Sequence, residues 1–332
     1  EIMSTFKFFI NDKDLTNYII SFTWSGDNQE AARKLEFTIA FNNVTKDSTF
    51  VNPRIEIGDT VTVKYIEEVS SLESKEITLF KGKIWVHNRN TQGYDKTFTA
   101  YDNLIYLAKS KLNKKFKDTT VLDVLKQVAN EWGYNIILDE GVVLDAKGDF
   151  IADSMTATEI FKKALDIQST KDNKKYSVMA IDENNNIVIG NNGTKHIANF
   201  SLTDKTNIIS SSHGESIENL VSLVYIADNN GDTSSDRVVK GDWAYDKFGK
   251  IIDIYKPDEK VDTRTAATKL LHSVDIDASL DAIGNIYCVA GKSIEIQEEN
   301  LKGKFFIKSD SHSFSNGQHT MTLTLDFTQV VT

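Results

Sequence analysis

Two histidines close to the C-terminal end of the sequence are the first residues that could do chemistry. His312 and His319 flank Asn316-Gly317, the preferred pair for a two-residue type I′ turn between antiparallel strands. Such a turn sets Phe314 opposite His319 and makes His312 and His319 diagonal neighbours on one sheet face. Two imidazoles could begin a zinc site, but a third ligand of suitable spacing is missing, so a structural or surface role is expected. The single cysteine, Cys288, lies in the apolar run IYCVA and reads as a buried, inert thiol. The loop with Asp228, Asn230, Asp232 and Asp236 has the composition of a calcium loop, yet the glycine and closing glutamate of an EF-hand are misplaced. Glu131 with Asp139, or Glu140 with Asp145, could be nominated as a hydrolase pair. With 48 acidic residues in the chain, such pairs carry almost no information. No GxSxG elbow, HExxH helix, Walker loop or GxGxxG turn occurs. Of Trp24, Trp85, Trp132 and Trp243, which could stack on sugar rings, only Trp243 lies in a polar stretch that predicts exposure. No catalytic, cofactor-binding or metal-binding residue is therefore nominated, no cofactor is expected, and the chain is not expected to be an enzyme.

Composition points the same way. The 332 residues are 40% hydrophobic and carry a formal net charge of -10, with a pI near 5.2. That length exceeds what one hydrophobic core usually serves, so two or three domains are expected. The acidity argues against a sequence-independent nucleic-acid binder, which needs Lys and Arg to displace counterions. One cysteine cannot form an internal disulfide, which fits folding in a reducing compartment. No apolar run approaches the roughly 20 residues of a membrane span, and the order of a signal peptide is missing, so a soluble protein without membrane insertion is expected.

The elements that would position these residues are mainly strands. From Phe6 to Asp102 the pattern alternates: Leu35, Phe37, Ile39 and Phe41 share one face, as do Val61, Val63 and Tyr65. Breaks fall at Asn52-Pro53 and Gly58-Asp59. The middle differs. Val121, Val124, Leu125, Val128, Ala129 and Trp132 recur at helical spacing, with Asp118 or Thr119 as the cap and Gly133 as the stop. Thr156 and Glu159 form a capping box ahead of a second amphipathic helix. KKYSVMAIDENNNIVIG then reads as a hairpin with its tip at Asp182 to Asn186. Beyond Ser201 strands return, interrupted by a hairpin around Asp246 to Lys250 and a helix from Asp262 to His272.

These returning strands echo the first ones in order. IISFTWSGD (19–27) is matched by IISSSHGES (208–216), and GDTVTV (58–63) by GKSIEI (291–296). LFKGKIWV (79–86) is matched by LKGKFFI (301–307), and KTFTAYD by HTMTLTLDF. A β unit carried twice implies symmetry in whatever the chain builds. The fold expected is α+β, mainly β: two related tube-like β-barrel domains, 1–106 and 201–332, flank an α/β middle domain, 107–200. The second copy carries a helical insertion near 262–273, and the strand at Val61 should take the place of the strand at Ile294.

Together, TWSGDNQEAARKLEFTI, GDTVTV with LFKGKI, TAYDNLIYLAKS, KKYSVMAID and IKSDSHSFSNGQHTMTLTL resemble the XkdQ/YqbQ family of phage-tail hub proteins of PBSX-like prophages and phage-tail-like bacteriocins. That family is similar to late control protein D, to the central hubs of contractile tails and to the hub part of type VI spike proteins. The resemblance implies a homotrimer with pseudo-sixfold symmetry, joining a hexameric tail tube protein to a trimeric spike protein, with baseplate and tape-measure proteins as further partners. It also implies assembly in the bacterial cytoplasm and residence in a tail or tail-like particle, with no sequence-specific nucleic acid contact. Edge pairing between subunits is expected at LEFTIAF and TLTLDF, through Leu35, Phe37, Ile39, Phe41, Leu323 and Leu325. Two rival readings are a tail-associated cell-wall hydrolase and a carbohydrate-binding adhesin using Trp243.

Overall fold

A computed structural model of the chain describes residues 6–28, 30, 32–42, 49–70, 73–89, 95–193, 195–228, 230–257, 263–299 and 301–326. The protein is mostly β. In the first segment, β1 (Phe6–Ile10), β2 (Lys13–Asp14), β3 (Ile19–Asp27), β4 (Lys34–Ala40), β5 (Thr60–Ser70), β6 (Glu73–Arg89) and β7 (Asp95–Asp102) pair antiparallel in the order β3-β4-β7-β6-β5-β1-β2. Alternation sets their faces. In β4, Leu35, Phe37 and Ile39 are buried while their neighbours are partly exposed. They meet Phe8, Phe22, Val61, Val63, Phe80, Ile84 and Phe98 in one core.

The helical spacing of the middle segment produces α1 (Leu104–Lys109), α2 (Val121–Ala129) and α3 (Ala157–Asp172). They pack with β8 (Lys111–Thr120), β9 (Asn135–Leu138), β10 (Lys147–Thr156), β11 (Tyr176–Ile181) and β12 (Asn186–Asn191) around a core running from Leu104 to Ile189. The capping box is present: the Thr156 hydroxyl accepts from the Glu159 N–H, and the Glu159 carboxylate accepts from the Thr156 N–H. The start of α2 corrects the expectation. Asp118 has φ 47° and falls at the register irregularity between β8 and β10, where its N–H donates to Asp149 Oδ1 at 2.6 Å, so the cap is Thr120, whose hydroxyl accepts from Asp123 N–H. Gly133 takes the left-handed conformation, φ 69°, after a short 3₁₀ turn. The hairpin tip falls at Asp182–Asn186 as the sequence suggests, with β11 antiparallel to β12.

In the third segment, β13 (His196–Thr203) and β14 (Ile208–Ser216) precede an inserted stretch, and β18 (Asp275–Ile283), β19 (Ser293–Gln297), β20 (Lys302–Ser315) and β21 (Gln318–Asp326) follow it. Their order is β14-β18-β21-β20-β19-β13. This is the order β3-β4-β7-β6-β5-β1 again, with one difference: β13 runs parallel to β19, whereas β1 runs antiparallel to β5.

Residues Ser212–Ala278 form a compact unit of their own, larger than the helical insertion expected. Within it, β15 (Leu223–Ile226) lies between β16 (Val238–Lys240) and β17 (Ile252–Tyr255), with α4 (Asp242–Phe248) and α5 (Thr263–Thr268). Val224, Val239 and Ala267 form its core. The Ser222 hydroxyl donates to Gly249 O at 2.6 Å and accepts from Ile251 N–H at 2.9 Å. The hairpin expected around Asp246–Lys250 is instead the end of helix α4, stopped by Gly249 at φ 83°. The second helix is shorter than expected, and residue 262 lies outside the described residues.

Candidate assembly seam and free sheet edges

The two copies correspond at the level of single hydrogen bonds. Gly58 N–H donates to Ile84 O at 2.8 Å, and Ile84 N–H donates to Asp59 O at 3.0 Å. In the second copy Gly291 N–H donates to Ile307 O, and Ile307 N–H to Lys292 O, both at 2.9 Å. Both glycines are left-handed, φ 93° and 89°. A register irregularity then falls between Ile84 and Val86 in one copy and between Ile307 and Ser309 in the other. Val61 thus matches Ile294, as expected. The Lys-Gly-Lys strings, however, are out of step: Val61 lies opposite Gly82, whereas Ile294 lies opposite Phe305. The offset is two residues, which leaves every side chain on its face.

The long strand of each copy has two working halves. The start of β20 pairs with β19; its remainder, Ser309–Ser315, pairs with β3 from Asp27 back to Ser21. That second stretch is a seam between the copies. Phe22 stacks on Phe314 at 4.1 Å and Phe6 meets Phe314 edge-on at 4.4 Å. The guanidinium of Arg33 lies 4.0 Å from the centre of the Trp24 ring and forms a two-pronged ion pair with Asp310. The Asp310 side chain is fully buried, and its Oδ1 also accepts from Ala290 N–H at 2.7 Å. The Arg33 N–H donates to Asp102 Oδ2 at 3.1 Å and Leu104 N–H to Asp102 Oδ1 at 3.0 Å. Burial still pushes the Asp102 carboxyl up to about 7.

The histidine pair lies on this seam. Phe314 is opposite His319, as the turn geometry requires, with Asn316 and Gly317 at φ 47° and 84°. His312 Nε2 is 3.0 Å from the Cys288 carbonyl, so that nitrogen carries the proton and donates. His312 Nδ1 is left to accept from His319 Nε2–H at 3.0 Å. Burial lowers both pKa values, that of His319 to about 3 with a further push from His312. Two neutral rings in a donor-acceptor chain hold a hairpin in place. Among the described residues no group of three or more His, Cys, Asp or Glu is placed to hold a metal ion.

Other nominated groups are dispersed. Glu131, Asp139 and Asp145 each pair with a different lysine: Lys114, Lys195 and Lys171. Asp228 Oδ1 accepts from Asn230 and Asp232 N–H, so its loop is closed by its own backbone. Cys288 is buried, and burial pushes its thiol up to about 12. Trp243 is exposed on α4. A cleft of about 500 Å³ does gather Glu76, Asp102, Asp182 and Glu183. Each is engaged: Glu76 with Lys7 and Lys64, Asp182 with Asn184 and Asn186 N–H, Glu183 with the Thr78 hydroxyl.

The expected interface residues serve the protomer's own core. Leu35, Phe37, Ile39, Leu323 and Leu325 are buried. Phe41 lies just past β4, with the Lys96 ammonium 3.4 Å from its ring centre. Strand β4 sits between β3 and β7, and β21 between β20 and β18, so neither has an edge to offer. This corrects the edge-strand expectation: adjacency in a sheet is set by distant pairings that a strand's own alternation does not encode. Among the described residues, the edges that sequence reasoning missed are β14, with β18 as its one sheet neighbour, and the end of β6 from Val86 onward, paired with β7 alone. The repeat itself was the signal that could have found them.

The model of the YqbQ-like family matches residues 22–326. The chain belongs to that family. YqbQ of Bacillus subtilis, an uncharacterised protein, is 22% identical over 316 residues, covering 91% of this chain and 90% of its own. The family's fold is that of several solved tail proteins. A 43 kDa tail protein of prophage MuSo2 from Shewanella oneidensis matches with a TM-score of 0.70 at 14% identity, over 97% of each chain. A tail protein from Neisseria meningitidis matches at 0.66 and 13%, over 97% of this chain and 95% of that one. An Escherichia coli type VI secretion component, described as similar in structure to T4 tail proteins gp27 and gp5, matches at 0.52 and 10%, over 93% and 73%.

Proposed function

We propose that this chain is a structural hub of a contractile phage tail or tail-like particle. It acts as a homotrimer whose six β copies, in residues 1–106 and 201–332, form a pseudo-sixfold ring. The ring joins a hexameric tail tube to a trimeric spike, with the middle segment, 107–200, turned toward the spike or the baseplate. The observation that carries this reading is the repeated strand order within one chain, since two like units per chain let a threefold assembly match a sixfold one. The fold likeness to phage tail proteins and to a type VI component supports the same role. The work is association and transmission of load, with no bond-breaking step, and the carboxylates of the cleft, each already engaged and lying among Arg33, Lys81 and Lys292, agree with that. The protein would be assembled in the bacterial cytoplasm and end in the particle.

Light scattering of the full chain, alone and with its tube protein, tests the trimer. Three copies of the 37.3 kDa chain, about 112 kDa of the total once the mass of the bound tube protein is subtracted, are expected in the complex. A dimeric or tetrameric complex with the tube would refute it.

A further inference from the structure

The internal joint between the two copies is a template for a second joint that one chain cannot make alone. In the joint that exists, the far half of β20 pairs with the outer edge of β3. The counterpart of β20 is β6, and the counterpart of β3 is β14. Among the described residues neither counterpart has this strand partner: β14 ends its sheet, and β6 beyond Ile84 has β7 on one side only. We propose that the outer edge of β14 pairs antiparallel with the far half of β6 in a second copy of this chain.

The register follows from the template. Asp27 lies opposite Ser309 and Ser25 opposite Ser311, while Asn28 N–H donates to Lys308 O at 2.9 Å. Carried across the shared strand positions, Ser216 lies opposite Val86, Gly214 opposite Asn88, and Ile217 N–H donates to Trp85 O. The chemistry of the two edges agrees with this pairing. Nearly every side chain of β14 is exposed, unlike those of β3, and Ile20 and Ile209 are exposed at matching positions, 47% and 60%. The sequence IISSSHGES has no lysine or proline, the residues that natural edge strands use to repel a partner. Val86 adds an exposed apolar side chain on the receiving strand. The contact is head-to-tail, so each chain offers one edge of each kind, and on the trimeric reading three such contacts close into a ring. The pairing stands on the repeat; only the ring size rests on the trimeric reading.

Paired cysteines test it in the full chain, because Cys288 is buried and will not compete. Ser216 and Val86 would form a non-hydrogen-bonded pair, the close kind that a disulfide spans. Val86→Cys/Ser216→Cys and, independently, Asn88→Cys/Gly214→Cys should oxidise to closed covalent rings of three chains. Val86→Cys/Glu215→Cys, shifted by one residue to the opposite face, should give about tenfold less. The pairing is overturned if neither matched pair links chains from micromolar to the solubility limit, or if the shifted pair links as well. Register-specific rings of four or six chains would keep the pairing and sink the trimer.

Discussion

Replacing Arg33 with alanine should be among the most damaging single changes in the β segments. The Asp310 side chain is wholly buried and that of Arg33 is 15% exposed, so the ion pair is desolvated on one side almost completely. Without the guanidinium the carboxylate keeps the Ala290 N–H at 2.7 Å and His312 Nε2 at 3.5 Å, neither a full positive charge. Breaking a buried pair by removing one partner costs about 3–5 kcal/mol. Loss of the cation over Trp24 adds roughly 1 kcal/mol. For a unit of this size the melting temperature should fall on the order of 10 °C. Scanning calorimetry and urea melts followed by circular dichroism at pH 7 would read both quantities. The decisive comparison is a double-mutant cycle. Arg33→Met/Asp310→Leu removes both charges and fills the space, so it should recover most of the loss. If Arg33→Ala costs under about 1 kcal/mol, or the double variant is as unstable as the sum of the singles, the seam does not depend on this pair.

Two further outcomes follow from the same region. His319 stays neutral in the fold down to about pH 3, while unfolded it titrates near 6.5, so between these values the unfolded state holds the extra proton. Stability is therefore lost as pH falls below about 6.5, with a slope of up to about 1.4 kcal/mol per pH unit. Asp102 acts in the opposite sense, because its carboxyl stays protonated up to about 7 only when folded, and His312, also lowered by burial, acts in the same sense as His319, so the wild-type profile sums all three. Comparing His319→Gln with wild type isolates the histidine: urea midpoints should move in the variant's favour from pH 7.5 to 5, and a constant difference would refute the assignment. A Cβ at Gly193, where φ is 80°, would sit 1.2 Å from Phe306 Cε1, whereas one at Gly133, φ 69°, meets open space. Gly193→Ala should cost about 2–3 kcal/mol more than Gly133→Ala in urea melts, and equal costs would mean that the Phe306 ring gives way freely.

Much of the fold was legible because it is written in local pattern. The helix with Val121, Val124, Leu125 and Val128 announces itself by period, and Thr156 with Glu159 by capping chemistry. The four repeated strings fall on corresponding strands of the two copies, yet β4 and β18 share no such string, though they occupy the same sheet position. A strand between two others needs only a buried alternating face, which KLEFTIA and DIDASLDAI supply with different residues. The Lys-Gly-Lys match misled by two residues, since an even shift preserves the faces and leaves the pattern unchanged. Its glycines have different causes: a Cβ at Gly82 would lie 2.1 Å from Tyr101 O, while Gly303 has φ 130° and open space. Helix α4 was missed because DWAYDKF is two turns long, too short to display a period. The seam was invisible in principle. Arg33 and Asp310 are 277 residues apart, and neither carries a local sign of its partner.

In the first copy the link from β3 to β4 is the short stretch between Asp27 and Lys34; in the second, β14 and β18 are joined by the stretch between Ser216 and Asp275. Antiparallel neighbours bring the two ends of any such link together, so the entropy of closing it grows only slowly with its length. The scaffold therefore has a permissive port where whole folded cargo can be spliced in while the strand order is kept. Swapping the segment between Ser216 and Asp275 would re-equip the protein while leaving the strands of its frame as they are.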